Sequence, residues 1–128
     1  MTVDLWMLFW SVVLTFAQVL VATVGAVLQV GLPVLAGNRD SVPARTGWVA
    51  RAERAHRNML ESLPLFAALV LAAHVANVAG PETALGAQLF LYARIAHAVV
   101  YTAGIPWLRT LFWAVSAVGL VMIAAAFL

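Results

Sequence analysis

The sequence predicts an all-α integral membrane protein, an up-down bundle of four transmembrane helices. Three observations carry that prediction. Charged residues make up 9% of the 128, against roughly 25% in soluble domains. The mean hydropathy is +1.01. Four segments with little or no charge each approach the roughly 20 residues that cross a bilayer as helix. The length suits one domain, residues 1–128, and leaves no room for a separate catalytic module.

The first span runs from Leu5 to about Leu35, inside a charge-free stretch that lasts to Asn38. No Lys or Arg precedes it and it is far longer than a signal core, so it is expected to stay as an anchor. Gly37-Asn38 and Pro43 then break the chain. The second span, Ser62 to about Ala79, reaches spanning length once the polar lead-in from Gly47 joins it. Gly80-Pro81 separates it from the third, Thr83 to about Gly104. Gly104-Ile105-Pro106 separates the third from the fourth, Thr110 to Leu128. Both links are short enough to force antiparallel neighbours. Ala22, Gly25, Ala26 and Gly31 are expected at close helix contacts, with the alanines of the second and fourth spans. The five tryptophans mostly fall near span ends, where indole favours the interface.

All seven basic residues are arginine, and Arg39, Arg45, Arg51, Arg54 and Arg57 cluster around one loop. That clustering marks topology and argues against nucleic acid as a partner. Arg109 lies by the third loop, whereas the second carries Glu82 and no arginine. The positive-inside rule therefore puts the first and third loops in the cytoplasm and both termini outside, in the cell inner membrane. With no cysteine, disulfides, thiolate metal sites and a cysteine nucleophile are excluded. Any thiol chemistry must come from a ligand. Only His56, with Glu53 three residues before it, has a second metal-ligating type at helical spacing, so no metal site is expected.

Two polar stripes interrupt the apolar sequence. Arg51, Arg54, Asn58 and Glu61 recur at steps of three, four and three, which places them on one helical face. Arg94, His97 and Tyr101 do the same on the third span. Arg94 lies near mid-span, where an unpaired guanidinium costs about 2.5 to 3.5 kcal/mol on insertion scales, so it should face inward and find a partner. Glu61 is ten residues on from Arg51, and Arg94 ten before Gly104, so both lie roughly 15 Å from the cytoplasmic end. By the same count Asn58 is level with His97, and Arg54 with Tyr101. A Glu61–Arg94 pair, within one chain or across an interface, is expected. Arg51 marks the membrane surface, and Pro64 frees the Leu60 carbonyl beside Glu61.

RAERAHRNMLESLPLF from Arg51, followed one hairpin later by ARIAHAVVYTAGIPWLR from Ala93, resembles the MAPEG family, membrane-associated proteins in eicosanoid and glutathione metabolism. The resemblance implies a left-handed four-helix bundle, a homotrimer, and glutathione bound between subunits near the cytoplasmic face. The family's R-A-x-x-N-x-x-E pattern falls on Arg54, Ala55, Asn58 and Glu61, and its A-R-x-x-x-x-x-x-Y pattern on Ala93, Arg94 and Tyr101. These positions imply glutathione contacts from Arg54, Asn58, Glu61, Arg94 and Tyr101, with His97 on the same stripe. An arginine at the start of the last helix serves the glutathione thiolate in the family's synthases, and Arg109 matches it. Ser62 and His97 stand where some eicosanoid synthases carry tyrosine. His56 and His97 are closer to the microsomal glutathione transferases and bacterial relatives.

The implied function is a glutathione-dependent transferase or peroxidase, with glutathione as co-substrate, acting on hydrophobic electrophiles that arrive from the lipid. Arg109 and Tyr101 are the expected catalytic pair. The alternative is a non-catalytic relative, akin to the family's lipoxygenase-activating member, that binds lipid or serves as a subunit of a membrane complex. An ion carrier using Glu61, Arg94 and His97 is disfavoured, because the polar residues stop halfway across the membrane.

Overall fold

A computed structural model describes residues 1–128. The chain forms α1 (Val3–Val30), α2 (Leu32–Ala36), α3 (Gly47–Val75), α4 (Pro81–Ala103) and α5 (Pro106–Ala125), with no strand. The four longer helices are long and apolar enough to cross a membrane. The protein is therefore an all-α, multi-pass membrane protein, as its hydropathy predicts. α1 packs on α3 and α4, and α5 packs mainly on α4.

Three element boundaries differ from those expected, one of them the end of α3 at Val75, about four residues before Ala79. The first span ends at Gly31, whose φ of 94° is open to glycine and strained for other residues, and the short α2 then starts at Leu32 with Pro33 in its first turn. Gly31 is thus a helix break and not a close helix contact. The last helix begins at Pro106, not Thr110, because Pro is pre-organised for the first helical turn. Arg109 and Thr110 consequently sit inside α5.

α1 turns a narrow stripe inward: Asp4, Ser11, Thr15, Ala22, Gly25 and Ala26 are buried, while most of its large apolar residues are exposed. Ser11 Oγ donates to the Met7 carbonyl and Thr15 Oγ1 to the Ser11 carbonyl, each at 2.8 Å, so these hydroxyls are satisfied within the helix. A Cβ on Gly25 would meet Val49 Cγ2 at 2.8 Å, which marks the close approach of α1 and α3. At the end holding both termini, Thr83 Oγ1 accepts the Gly80 N–H at 2.8 Å and lies 3.3 Å from the buried Asp4 carboxylate. That contact ties the starts of α1 and α4 together.

The core lies between α3, α4 and α5. Met59, Phe66, Val70, Ala73, Ala87, Phe90 and Ile123 are fully buried, with Phe66 and Phe90 stacked at 4.0 Å between ring centroids. α4 and α5 meet through Gly86 and Gly119. A Cβ on either would come within 2.5 to 2.7 Å of the other's carbonyl oxygen. Two glycines let the backbones approach, the usual device where both faces of a helix contact are apolar.

At the arginine-rich end, Gln29 Nε2 donates to the Thr46 carbonyl at 2.9 Å and its Oε1 accepts the Thr46 N–H at 3.0 Å. Arg45 pairs with Glu53 at 2.7 Å. Arg51 Nε donates to the Thr102 carbonyl at 3.0 Å and packs against Gly104, the left-handed C-cap of α4. A cation there satisfies an orphan carbonyl at the negative end of the helix.

The glycine contact generates a test. Gly119→Ala should destabilise the detergent-solubilised protein by about 1 to 3 kcal/mol, the usual cost of overpacking. Gly37→Ala, at an ordinary negative φ with the nearest atom 3.4 Å from the added Cβ, should stay within about 0.5 kcal/mol of wild type. Equal thermal midpoints for the two variants would refute the close contact.

Candidate functional site

The two polar stripes meet where α3 faces α4. Arg94 is only 1% exposed, and its Nη2 donates to Asn58 Oδ1 at 2.8 Å. That bond fixes the Asn58 amide with its oxygen toward α4 and leaves the NH2 group as a free donor. Arg94 Nε and Nη1 have no partner within the chain. Ser62 Oγ donates to the Asn58 carbonyl at 3.3 Å and continues the polar line along α3.

The Glu61–Arg94 pair does not form within the chain. Glu61 is exposed, and Arg45–Glu53 is the one ion pair. Matching depth locates a turn but not a direction round the helix. Glu61 lies three residues beyond Asn58, about 60° further round α3 and away from α4. Arg54 is exposed on the same outward side.

Beside Asn58 a cavity of about 260 Å³ opens, lined by Asn58, His97, Tyr101, Arg109, Thr110 and Trp113. α3 supplies the first, α4 the next two and the first turns of α5 the last three. The Arg109 guanidinium lies over the Tyr101 ring, 4.4 Å from its centroid, a cation–π contact. The His97 ring meets the same tyrosine edge-on at 5.4 Å. His97 is 2% exposed, and its Nδ1 has no partner.

Four of the seven sequence-derived site residues, Asn58, His97, Tyr101 and Arg109, thus share one cavity. Arg94 reaches it only through Asn58, and Arg54 and Glu61 lie outside it. Thr110 and Trp113 were not expected there. The signal for both was present, since Pro106 predicts a helix start that puts Thr110 next to Arg109 and Trp113 one turn beyond it.

The lining contains no acid, one guanidinium with no hydrogen bond inside the chain, a phenol, an imidazole, a hydroxyl and an amide NH2. Such a set receives an anion and stabilises negative charge beside Arg109 and Tyr101. It offers nothing to balance a bound cation.

The Arg94–Asn58 bond can be tested by stability alone. Asn58→Leu leaves the guanidinium buried without its acceptor and should lower stability by about 2 to 3 kcal/mol. Asn58→Leu with Arg94→Leu should lose less than that single change, because no charge is then stranded. A double variant that loses the sum of both singles would contradict the coupling.

The MAPEG family model matches residues 3–128. No curated protein and no solved structure matches the chain. Because the family match takes in all four spanning helices and every residue of the cavity, the chain belongs to the MAPEG family, membrane proteins of eicosanoid and glutathione metabolism.

Proposed function

We propose that the protein is a glutathione-dependent membrane transferase or peroxidase acting on hydrophobic electrophiles. The observation that carries this reading is the Arg109 guanidinium over the Tyr101 ring, in a cavity whose other polar walls are Asn58, His97 and Thr110. Glutathione supplies a thiol, which is the nucleophile once it is a thiolate. Moving a thiol pKa from about 8.5 to about 6.5 takes roughly 2.7 kcal/mol of preferential stabilisation. A partly desolvated arginine with a phenol beside it is of that order.

Asn58 and His97 bind and orient the tripeptide, and Tyr101 and Arg109 hold negative charge at the sulfur. Arg94 acts as a positioning residue through Asn58. Arg54 and Glu61 face outward on α3, and both fit a site completed by a second copy of the chain: Arg54 for a carboxylate, Glu61 for an amino group. Two further points favour a ligand between subunits of an oligomer, which the family resemblance makes a homotrimer. One chain's cavity, about 260 Å³, falls short of the roughly 300 to 1,000 Å³ of ordinary ligand sites. An exposed carboxylate roughly 15 Å into the bilayer is costly unless protein or ligand covers it.

On this reading residues 1–128 act as one four-helix unit. The arginine-rich end faces the cytoplasm, both termini lie outside the cell inner membrane, and the apolar electrophile enters from the lipid. The alternative, a non-catalytic lipid-binding relative or complex subunit, is favoured by one observation. Arg94 is sealed against Asn58 at 1% exposure, as a structural tie between helices would be. Glutathione calorimetry in detergent separates the two readings.

Saturable glutathione binding is expected, with turnover of a chloronitrobenzene-type acceptor or a lipid hydroperoxide. Arg109→Ala should cut kcat/KM by about 100-fold and Tyr101→Phe by about 10-fold, the range for lost charge-stabilising groups. Neither binding nor turnover in the wild-type protein would remove the proposal.

A further inference from the structure

Next to the main cavity lies a second, smaller recess at the arginine-rich end of the bundle. It has a volume of about 120 Å³ and is lined by Arg51, Tyr101, Gly104, Ile105, Pro106 and Arg109. Tyr101 and Arg109 form its common wall with the larger cavity. Arg51 comes from the opposite side, on α3. It spends its Nε on the Thr102 carbonyl, while its two terminal nitrogens make no hydrogen bond within the chain. The Arg109 guanidinium makes none, and its one contact is the Tyr101 ring.

Two guanidinium groups therefore border one small space with no acid beside them. The nearby Glu53 is already paired with Arg45, and the first turn of α5 carries no acidic residue. Arg109 also sits at the start of α5, where the helix end is positive and a cation is unfavourable. Arg51 has the carbonyl end of α4 beside it and Arg109 the face of Tyr101, but neither has a formal counter-charge, and each keeps free donors. The room available suits one phosphate or carboxylate group and is too small for a tripeptide.

We propose that Arg51 and Arg109 form a second oxyanion site, separate from the larger cavity, that takes a phosphate group at the membrane boundary. The phosphate belongs either to an anionic phospholipid headgroup or to a soluble phosphate ester. Arg109 faces both spaces, so occupancy of the recess sets how far its guanidinium is available to the cavity. The site does not require that the cavity bind glutathione.

The test uses the full chain in an uncharged detergent, with inorganic phosphate titrated by calorimetry at fixed ionic strength. The wild-type protein should bind it saturably, and its thermal midpoint should rise more with phosphate than with chloride. Arg51→Gln and Arg109→Gln should each weaken phosphate binding by about tenfold or more, the scale of one charge-assisted contact. Arg39→Gln, in the first loop, should bind as wild type does. Should Arg51→Gln fail to fold, Arg51→Lys and Arg109→Gln decide the outcome. Nanodiscs distinguish the sources. If the occupant is lipid, discs containing phosphatidylglycerol abolish the phosphate response that phosphatidylcholine discs retain; if it is a soluble ester, both respond alike. No phosphate effect beyond chloride, or an undiminished effect in Arg51→Gln, would overturn the site. Glutathione enters none of these readouts, so a protein that fails to bind it can still pass.

Discussion

The arrangement depends first on where the Arg94 guanidinium finds its acceptor. At mid-span there is no water to solvate it, so a partner must come from another helix. Asn58 supplies it at 2.8 Å, and that single bond sets both the rotation of α3 and its height relative to α4. Asn58 and His97 then come to the same level and face the same space. A shift of α3 by one residue would swing Asn58 about 100° away and strand the charge.

α5 is held by a different force. It offers no buried charge, and its contact with α4 comes from the backbone approach at Gly86 and Gly119. Lipid tails are as apolar as the helix faces, so close packing, not hydrophobic burial, holds the two together. This contact and the two-residue link at Gly104-Ile105 together bring the first turn of α5 back over Tyr101. The stack of Arg109 on Tyr101 thus follows from glycines that take no part in it.

Much of this was legible in the sequence. Four spans follow from hydropathy and breakers alone, and the periodic stripes single out Asn58, His97 and Tyr101, which the cavity brings together. The misses have physical causes. Hydropathy ends a span at a charge, so Arg109 displaced the expected start of the last helix to Thr110, although Pro106 sets it. The same measure is blind to Gly31, whose positive φ interrupts an unbroken apolar run. The expected Glu61–Arg94 pair failed because residue counting gives depth and not azimuth. Gly86 and Gly119 lie on different helices, and nothing in the chain announces that they face each other.

The outer surface of the bundle is not uniform, and the difference bears on what surrounds it. α1 shows lipid Trp6, Phe9, Phe16, Leu20 and Val24, and α5 shows Leu111, Val118 and Val121. α3 instead shows Arg54, Arg57 and Glu61 within its first fifteen residues, with Leu60 and Leu65 exposed beside Glu61. Arginines near the boundary can extend to the headgroups, since a long stem lets the charge reach water. Glu61 is shorter and lies deeper, and its carboxylate has no such escape. The face of α3 that carries it is therefore the part of the surface least suited to lipid. Asn58, one turn before Glu61 on the same helix, lines the cavity, whereas Glu61 does not.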